Sequence, residues 1–381
     1  MKTYAVGGAV RDELLGLPVQ DRDWVVVGAT PEDLTAQGFR PVGRDFPVFL
    51  HPVTHEEYAL ARTERKSGPG YKGFVVHASP DVTLDQDLQR RDLTINAMAR
   101  DGDGRLIDPF GGAADLERRL LRHVSDAFAE DPVRILRVAR FAARFKRRFG
   151  FRVAPETLLL MRRMVEAGEA DALVPERVWT ELARGLAEPT PSELFRILAE
   201  CGALPRVLPE IAGAWQETGT RAAAAVDLAA ERSHPLEVRF AAWAAALLGE
   251  TPDGGREALT QLGQRLRLPA EVRDLALLAA TLARPLALRR RCDPEGLLGL
   301  IERADGLRRP QRFEALLAAC ACREAARGMA TETGEDPLLQ ALSAAAAVPA
   351  GAIAQAAPDL AEIPARLRAA RLEAIRASAR Q

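Results

Sequence analysis

The sequence predicts an α+β protein, with a mixed α/β head followed by an all-α remainder. Up to about residue 112, short β-branched runs alternate with glycine-containing turns and short helical segments. Beyond that point strand patterns are missing, and Leu, Ala and Arg recur at helical spacing. The 381 residues are too many for one ordinary core, so we expect several subdomains.

The head is predicted to consist of short elements joined by turns. Strands are expected at 3–6 and 21–27, with a strand pair at 46–50 and 58–62. Helices are expected at 9–15, 31–37 and 84–91. Thr30 would cap the second helix, with Pro31 at its first position. This order is typical of a mixed sheet with helices packed on it.

The clearest helix of the second part is predicted over 133–145, directly after Asp131-Pro132. Around it, the stretch from Arg118 to Arg163 holds 13 Lys and Arg against 4 Asp and Glu. A basic stripe of this kind could follow a phosphate backbone. A solvated helix face has the same composition, and on charge alone we favour that interpretation.

Composition excludes several classes of protein. The net charge of −1 argues against a uniformly basic coat that binds nucleic acid. No apolar run approaches a membrane span, and no signal-peptide core follows Met1, so we expect a cytoplasmic protein that makes no membrane contact. The four cysteines lack zinc-finger spacing, and we expect buried free thiols.

Asp21 and Asp23 are the first candidates for chemistry. Residues two apart in a strand point to the same face, so the two carboxylates would lie side by side. Such a pair is stable when a cation joins it, and oxygen ligands suit Mg²⁺ bound together with substrate phosphates. An isolated Asp-x-Asp pair is more often a strand end at the surface.

The preceding turn strengthens the functional interpretation. Gly7 and Gly8 separate the first strand from a helix that carries Arg11. Glycines let a backbone approach a phosphate closely, and a helix N-terminus favours anions. Arg11 could add a charged hydrogen bond to a triphosphate. The alternative is a tight turn beside a surface arginine.

These motifs together resemble the opening signature of the class II tRNA nucleotidyltransferase and poly(A) polymerase family. The matching residues are Gly7-Gly8, Val10-Arg11-Asp12, Leu15-Gly16 and Asp21-x-Asp23. The resemblance implies a polymerase-beta-like nucleotidyltransferase head, in which Asp21 and Asp23 are catalytic and hold two Mg²⁺ ions. Within this family the chain is most similar to the bacterial CCA-adding enzymes.

Further residues are carried over by the same resemblance. Arg91 would contact the nucleotide, with Asp92 and Asn96 near its sugar and phosphates; Gly8 and Arg11 would also bind the nucleotide. Asp108-Pro109-Phe110-Gly111-Gly112 matches a hinge whose glycines would be flexible. The family also suggests a third carboxylate, for which Glu64 is a candidate.

The segment at Asp131 carries the strongest prediction of specificity. On a helix Asp131 and Arg134 would be neighbours, one accepting hydrogen bonds and the other donating them. Together they could read the edges of cytosine and adenine, whereas guanine and uracil present the wrong polarity. In the family this motif selects CTP and then ATP without a template, and Arg137 and Arg140 match nucleotide-binding arginines. The alternative is a salt bridge within a solvated helix.

The resemblance also implies a division of the chain and its partners. We expect a catalytic head at 1–112, a helical neck at 113–210, a helical body at 211–345 and a basic tail at 346–381 that binds tRNA. The expected substrates are tRNA, CTP and ATP. The protein would be a monomer or a homodimer.

One expected departure from the family concerns the body. Multifunctional members carry a metal-dependent HD-type phosphohydrolase there, which needs several His and Asp ligands. Here Ala245-Ala246 stand where the His-Asp pair is expected, and His234 is the single histidine of the body. We therefore predict a degenerate HD domain without a second metal centre and without hydrolase activity.

Three other functions are compatible with the sequence. A bacterial poly(A) polymerase shares the head chemistry but usually carries longer basic extensions. An enzyme that adds only CC or only A would differ in loop geometry, including the Lys66 to Phe74 loop. A catalytically silent tRNA-binding protein is the third alternative, and the intact Asp21 and Asp23 argue against it.

Overall fold

A computed structural model of the chain describes residues 1–19, 21–42, 48–66, 74–329 and 336–378, without the side chains of 64–66 and 74–76. It divides into two compact units, Met1–Val207 and Leu208–Gln381. All strands among the described residues belong to the first unit, and the second is helical. The predicted α+β fold class is therefore confirmed.

The strands of the first unit are short. They are β1 (Lys2–Val6), β2 (Asp23–Val27), β3 (Arg40–Val42), β4 (Val48–Leu50), β5 (Glu57–Leu60), β6 (Arg62–Lys66), β7 (Phe74–Ala78), β8 (Ala99–Arg100), β9 (Leu106–Ile107), β10 (Leu120–Leu121) and β11 (Arg152–Val153). Seven of them form one sheet in the order β3-β4-β5-β2-β1-β8-β9. The pairs β6-β7 and β10-β11 are separate.

The sheet is mixed, and its register brings two predicted motifs together. Strand β2 runs antiparallel to β1 and parallel to β5. Val6, the last residue of β1, lies opposite Asp23, the first residue of β2. The glycine turn after Val6 and the carboxylate of Asp23 therefore meet at one edge of the sheet.

One strand boundary differs from its prediction. The strand expected at 21–27 begins at Asp23, and Asp21 lies in irregular backbone before it. The same-face argument for the two carboxylates was therefore wrong, because it requires both residues to be in the strand. The predicted strand pair is present as β4 and β5, which run antiparallel.

The helices of the first unit are α1 (Gly8–Leu14), α2 (Pro31–Ala36), α3 (Leu84–Gln89), α4 (Gly112–Arg118), α5 (Val133–Phe149), α6 (Pro155–Glu166), α7 (Pro175–Ala187), α8 (Ser192–Glu200) and α9 (Leu204–Val207). Thr30 caps α2 in a reciprocal capping box with Asp33, a motif worth about 1 kcal/mol. Helix α5 extends one turn past its predicted end and stops at Gly150, which has φ 74°.

Helix α5 anchors the helical part of the first unit. Its inward residues include Phe141 and Phe145, which stack with ring centroids 6.0 Å apart. Phe145 also packs against Phe151 at 5.3 Å, and both are fully buried. Burial of each such ring is worth about 1.5–3 kcal/mol. Arginines of α5 lie against these rings, with Arg140 4.5 Å above Phe141 and Arg144 5.1 Å above Phe145, so the helix joins an apolar core to a charged surface.

The hinge predicted at Gly111-Gly112 has a packing role in the structure. A Cβ at Gly112 would lie 2.3 Å from the carbonyl oxygen of Thr94. The Gly112 N–H donates to the Asp108 carboxylate at 2.7 Å, which caps α4. Glycine is thus required for close approach, and flexibility at this point stays a prediction.

The second unit is a bundle of helices α10 (Ala212–Glu231), α11 (Leu236–Leu248), α12 (Arg256–Arg265), α13 (Ala270–Ala287), α14 (Pro294–Arg303), α15 (Pro310–Ala326), α16 (Pro337–Ala346), α17 (Ala350–Gln355) and α18 (Ile363–Ser378). Its core is rich in Leu and Ala, and small side chains let the helices approach closely. Among the described residues, no helix combines the length and apolarity that a membrane crossing needs.

Candidate active site

Separate segments of the first unit converge on one cavity of about 540 Å³. Nine arginines and three aspartates line it, so the lining is strongly positive and suited to a polyanion. The cavity contains every residue predicted to bind a nucleotide: Gly8, Arg11, Arg91, Asp92, Asn96, Asp131, Arg134, Arg137 and Arg140. Asp23 lines it as well.

The glycine turn sits directly against this arginine cluster. Gly7 has φ 68°, a left-handed conformation that favours glycine, and a Cβ there would lie 2.7 Å from a guanidinium nitrogen of Arg91. Arg11 is buried, and it donates to Asp12 at 2.8 Å and to the Asn96 side chain at 2.5 Å. Burial lowers the pKa of Arg11, although Asp12 opposes this shift. Arg11 is thus held in the wall of the cavity.

Asp92 is the centre of a hydrogen-bond network. Its carboxylate accepts from the Leu93 N–H at 2.8 Å, the Asn96 amide at 2.9 Å and Arg137 at 2.7 Å. Burial would raise the pKa of Asp92, but Arg137 and these hydrogen bonds hold it well below its usual range. Asp92 is therefore a fixed negative charge that orients Arg137 at the cavity wall.

Arg91 is supported from beneath by a second buried carboxylate. It donates to Asp87 at 3.2 Å and to the Asn96 carbonyl at 3.4 Å. Arg90 shares the same carboxylate at 2.8 Å. The Nε of Arg91 is buried and makes no hydrogen bond to the described residues. An unsatisfied buried donor in the wall of a binding cavity is a candidate ligand contact.

Asp131 and Arg134 are arranged differently from the prediction. Helix α5 begins at Val133, so Asp131 precedes it, and the expected helical neighbour relation with Arg134 was wrong. Asp131 instead receives both arms of the Arg177 guanidinium, at 3.1 and 2.8 Å. Arg134 donates to the carbonyls of Ala127 and Arg90, each at 2.6 Å.

Both side chains nevertheless line the cavity, and their hydrogen bonds go to different groups. A carboxylate offers about four acceptor sites, so the two hydrogen bonds from Arg177 and one from the Val133 N–H leave room for a ligand donor. The bidentate hold from Arg177 fixes the plane of the carboxylate.

Helix α7 contributes two residues for which the sequence predicted no role. Arg177 orients Asp131, and Glu181 accepts from Arg140 at 2.6 Å. Arg140 also lies 4.5 Å above the Phe141 ring. Glu181 is a carboxylate in the otherwise apolar stripe of Val178 and Leu182, which is a pattern that sequence reasoning could have used.

Asp12 and Arg144 form another pair that joins distant segments. Arg144 donates to Asp12 at 2.9 Å, across 132 residues of chain. Asp12 thereby links α1, next to the glycine turn, to the middle of α5. The positions of the phosphate-facing turn and of the arginine helix are therefore coupled.

The two candidate metal ligands lie at the edge of this region. Asp21 and Asp23 both line a cavity of about 580 Å³ with His55, Glu56 and Glu57. Both are exposed, and within the described ranges their carboxylates make no hydrogen bond or ion pair. Asp23 faces both cavities. No group of three or more potential ligands is found in the part of the chain that the structure describes.

The third carboxylate is only partly located. Glu64 lies in β6 and pairs in register with Val76 of β7. Its side chain lies outside the described set, as does most of the Lys66 to Phe74 loop.

Comparison with known proteins relates this geometry to a family. The family model "Poly A polymerase head domain" matches residues 3–122, and the model "Probable RNA and SrmB- binding site of polymerase A" matches residues 150–214. A multifunctional CCA protein of Azoarcus sp. is 54% identical over 407 residues, covering 99% of this chain and 97% of its own. A second, from Aromatoleum aromaticum, is 56% identical over 410 residues, covering 99% and 98%.

Solved structures of CCA-adding enzymes are similar to this chain in fold. A CCA-adding enzyme in complex with CTP superimposes with a TM-score of 0.69 at 25% identity, covering 98% of this chain and 87% of that one. The Bacillus stearothermophilus CCA-adding enzyme in complex with CTP gives a TM-score of 0.65 at 28% identity, covering 96% and 88%. The predicted family, polymerase-type head and enzyme class are confirmed. This chain belongs to the family of multifunctional CCA proteins and is a nucleotidyltransferase.

Proposed function

We propose that this protein adds CCA to the 3′ end of tRNA from CTP and ATP and releases pyrophosphate. In each step the tRNA 3′-oxygen would bond to the α-phosphorus of the nucleotide, and the bond from that phosphorus to pyrophosphate would break. The hydroxyl proton leaves to solvent or to a nearby base. No protein nucleophile takes part.

The observation that supports this proposal most strongly is the convergence on one cavity. The glycine turn, the Arg91 to Asn96 segment and helices α5 and α7 all line it, with Asp23 at its margin. A polyphosphate needs several positive groups, and a base needs a paired donor and acceptor. Asp131 and Arg134 supply the acceptor and the donor.

The residues at the margin fit a divalent metal. Asp21 and Asp23 are exposed carboxylates without protein partners in the described ranges, and Mg²⁺ is typically held by one or two carboxylates plus substrate phosphates. Two bound Mg²⁺ ions would supply neutralisation of the triphosphate charge and a lower pKa for the attacking hydroxyl.

The remaining residues would bind and orient the nucleotide. Arg11 and Arg91 would contact the phosphates, where the orphaned Nε of Arg91 offers a donor. Asp92 and Asn96 would lie near the ribose. Arg137 and Arg140 are fixed by Asp92 and Glu181, so little side-chain entropy is lost when they bind a ligand.

The decisive experiment supplies tRNA that lacks CCA, Mg²⁺ and each nucleotide singly and in combination. Sequencing of the products should show C, C and A added in that order and then termination. Long adenosine tails would instead identify a poly(A) polymerase. Products that stop after CC, or that form only from tRNA ending in CC, would identify a partial enzyme. Binding without extension would identify a silent tRNA-binding protein.

We also propose that the second unit has no hydrolase metal centre. Ala245 and Ala246 lie in α11 with relative exposures of 0% and 6%, and their methyl groups cannot bind a metal. The test uses the full chain carrying Asp23→Ala, so that the head is silent. With 2′,3′-cyclic phosphates and Mg²⁺, Mn²⁺, Co²⁺ or Ni²⁺, no hydrolysis is expected; metal-dependent hydrolysis would contradict the proposal.

The division into head, neck, body and tail remains a proposal. The head and neck lie within the first compact unit apart from residues 208–210, and the body and tail lie in the second. If the tail binds tRNA, its arginines would have to leave their present carboxylate partners for phosphates. Arg366 pairs with Glu362 at 2.9 Å, and Arg368 pairs with Glu295 at 2.6 Å. We further propose that the protein works in the cytoplasm as a monomer or homodimer, which sedimentation of the purified protein would distinguish.

A further inference from the structure

Helix α11 of the second unit is buried along its whole inner length. Ala241, Ala242 and Ala245 are fully buried, and α11 packs between α10, α13 and α15. A metal centre at Ala245-Ala246 would need ligands from the helices that face this point. Arg323 of α15 reaches this point, where it donates to the Ala245 carbonyl.

Arg323 is only 2% exposed, which is unusual for an arginine. Its Nε donates to the carbonyl oxygen of Ala245 at 3.2 Å, and a terminal nitrogen donates to the Ala283 carbonyl at 3.2 Å. Its other terminal nitrogen donates to the Glu250 carboxylate. One guanidinium therefore joins α15 to α11, to α13 and to the segment after α11.

Glu250 is the counter-charge of this group. It also accepts from Arg327, and Arg284 lies 3.5 Å from its carboxylate. Burial opposes ionisation of Glu250, but the arginines around it hold its pKa below the usual range. Three guanidinium groups thus surround one carboxylate, and a divalent cation approaching Ala245 would meet a net positive charge.

We propose that the Arg323–Glu250 pair occupies the position of the lost hydrolase metal centre and replaces it as the fixed positive charge that holds α11, α13 and α15 together. The donor set does not fit a metal, because methyl groups stand at 245 and 246 and the Arg323 guanidinium donates to the Ala245 carbonyl. The inference rests on the proposed absence of the HD site. It adds that the fold of the second unit requires this arginine and is independent of added metal.

The test compares Arg323→Met with Arg309→Met in the full chain. Arg309 lies one residue before α15 and makes an exposed ion pair with Asp305 at 3.6 Å, so it controls for the loss of one arginine. Removing Arg323 takes away a buried guanidinium, its two hydrogen bonds to backbone carbonyls and its link to the half-exposed Glu250, which is strongly destabilising, whereas exposed pairs contribute little. We expect Arg323→Met to lower the thermal midpoint by on the order of 10 °C, and Arg309→Met by about 2 °C or less.

Hydrogen exchange shows which helices lose stability in the variant. In Arg323→Met, exchange should accelerate in the last turns of α11 and α13, and nucleotide addition at 20 °C reports that the first unit is still folded. If Arg323→Met does not fold, Glu250→Gln is the second variant, and it should also lower the thermal midpoint. In the Asp21→Ala/Asp23→Ala variant, which lacks the proposed head ligands, EDTA and Ni²⁺ should leave the midpoint unchanged.

Two results would overturn the inference. One is a midpoint for Arg323→Met, or for Glu250→Gln as its substitute, within error of the Arg309→Met control. The other is stabilisation of the Asp21→Ala/Asp23→Ala variant, which lacks the proposed head ligands, by Ni²⁺, with about one equivalent retained after dialysis. A different result, turnover of a cyclic phosphate, would contradict the proposed absence of hydrolase activity. The two failures are therefore distinguishable.

Discussion

The two units bury arginines for opposite purposes. In the first, arginines surround an open cavity and several are oriented by a carboxylate beneath them, as Asp92 orients Arg137 and Glu181 orients Arg140. In the second, Arg323 has its nitrogens directed at backbone carbonyls and Glu250 inside a closed helix bundle. A buried arginine is therefore a binding group only where space and unused donors remain beside it. Elsewhere it acts as a structural cross-link.

The largest expected effect concerns the open cavity of the first unit. Asp21→Ala or Asp23→Ala should lower nucleotide addition by about 10³-fold or more, because the metal contribution is worth several kcal/mol. Thermal stability and most tRNA affinity should be unchanged, since both side chains are exposed. Single-turnover rates measure the loss. The exposed Asp103→Ala is the matched control, and turnover within tenfold of wild type would contradict the metal assignment.

The next prediction concerns the choice of base. Asp131→Ala or Arg134→Ala should relax preference for CTP and ATP over UTP and GTP by roughly 5- to 150-fold, since each good polar contact to a base edge is worth about 1–3 kcal/mol. The overall rate with the correct nucleotides should fall less. Competition assays with mixed nucleotides measure the ratio. Full discrimination in both variants would exclude base reading by this pair.

Arg177 should have a smaller effect of the same kind. Arg177→Met removes the fork that orients Asp131, so discrimination should fall by about tenfold, equivalent to about 1.4 kcal/mol. Arg177→Lys should restore only part of it, because lysine lacks the bidentate geometry. Arg184→Met, exposed on the same helix, is the control. An equal loss in that variant would show a general effect of charge.

The smallest expected effect is the response to pH. The pKa of Asp92 in the folded protein lies below its usual range, so its contribution to stability is present above about pH 4 and is lost as pH falls further. The stability difference between wild type and Asp92→Asn should therefore be constant from pH 5 to 8 and shrink only in stronger acid. Denaturant unfolding across pH measures it. A stability difference that does not shrink in acid, down to about pH 2, would mean that Asp92 is not held by Arg137 in solution.

Local patterns predicted much of the architecture. The capping box at Thr30, the long helix after Asp131 and the change from mixed to helical structure all follow from short-range chemistry. Boundaries were less accurate where tertiary pairing decides them. Asp21 is excluded from the strand because pairing with β1 stops at Asp23, opposite Val6.

The hydrogen-bond partners of the site residues were predicted less well than the places of these residues in the fold. The sequence alone predicted that Asp131 and Arg134 are neighbours on a helix because they are three residues apart, yet Asp131 lies before the helix and is held by Arg177. Arg177 is 46 residues from Asp131, and Arg144 is 132 residues from Asp12. No local spacing rule connects residues so far apart, because their proximity depends on how the helices pack.

The sequence by itself therefore determined which chemical groups are present and their order along the chain: the glycine turn, the aspartate pair, the arginines and the alanines at 245 and 246. Tertiary structure alone decided which carboxylate holds which guanidinium, and which arginine remains beside an open cavity. The physical reason is that a guanidinium can satisfy its five N–H groups with any carboxylate or carbonyl within reach. Its partner is thus selected by packing rather than by its own identity.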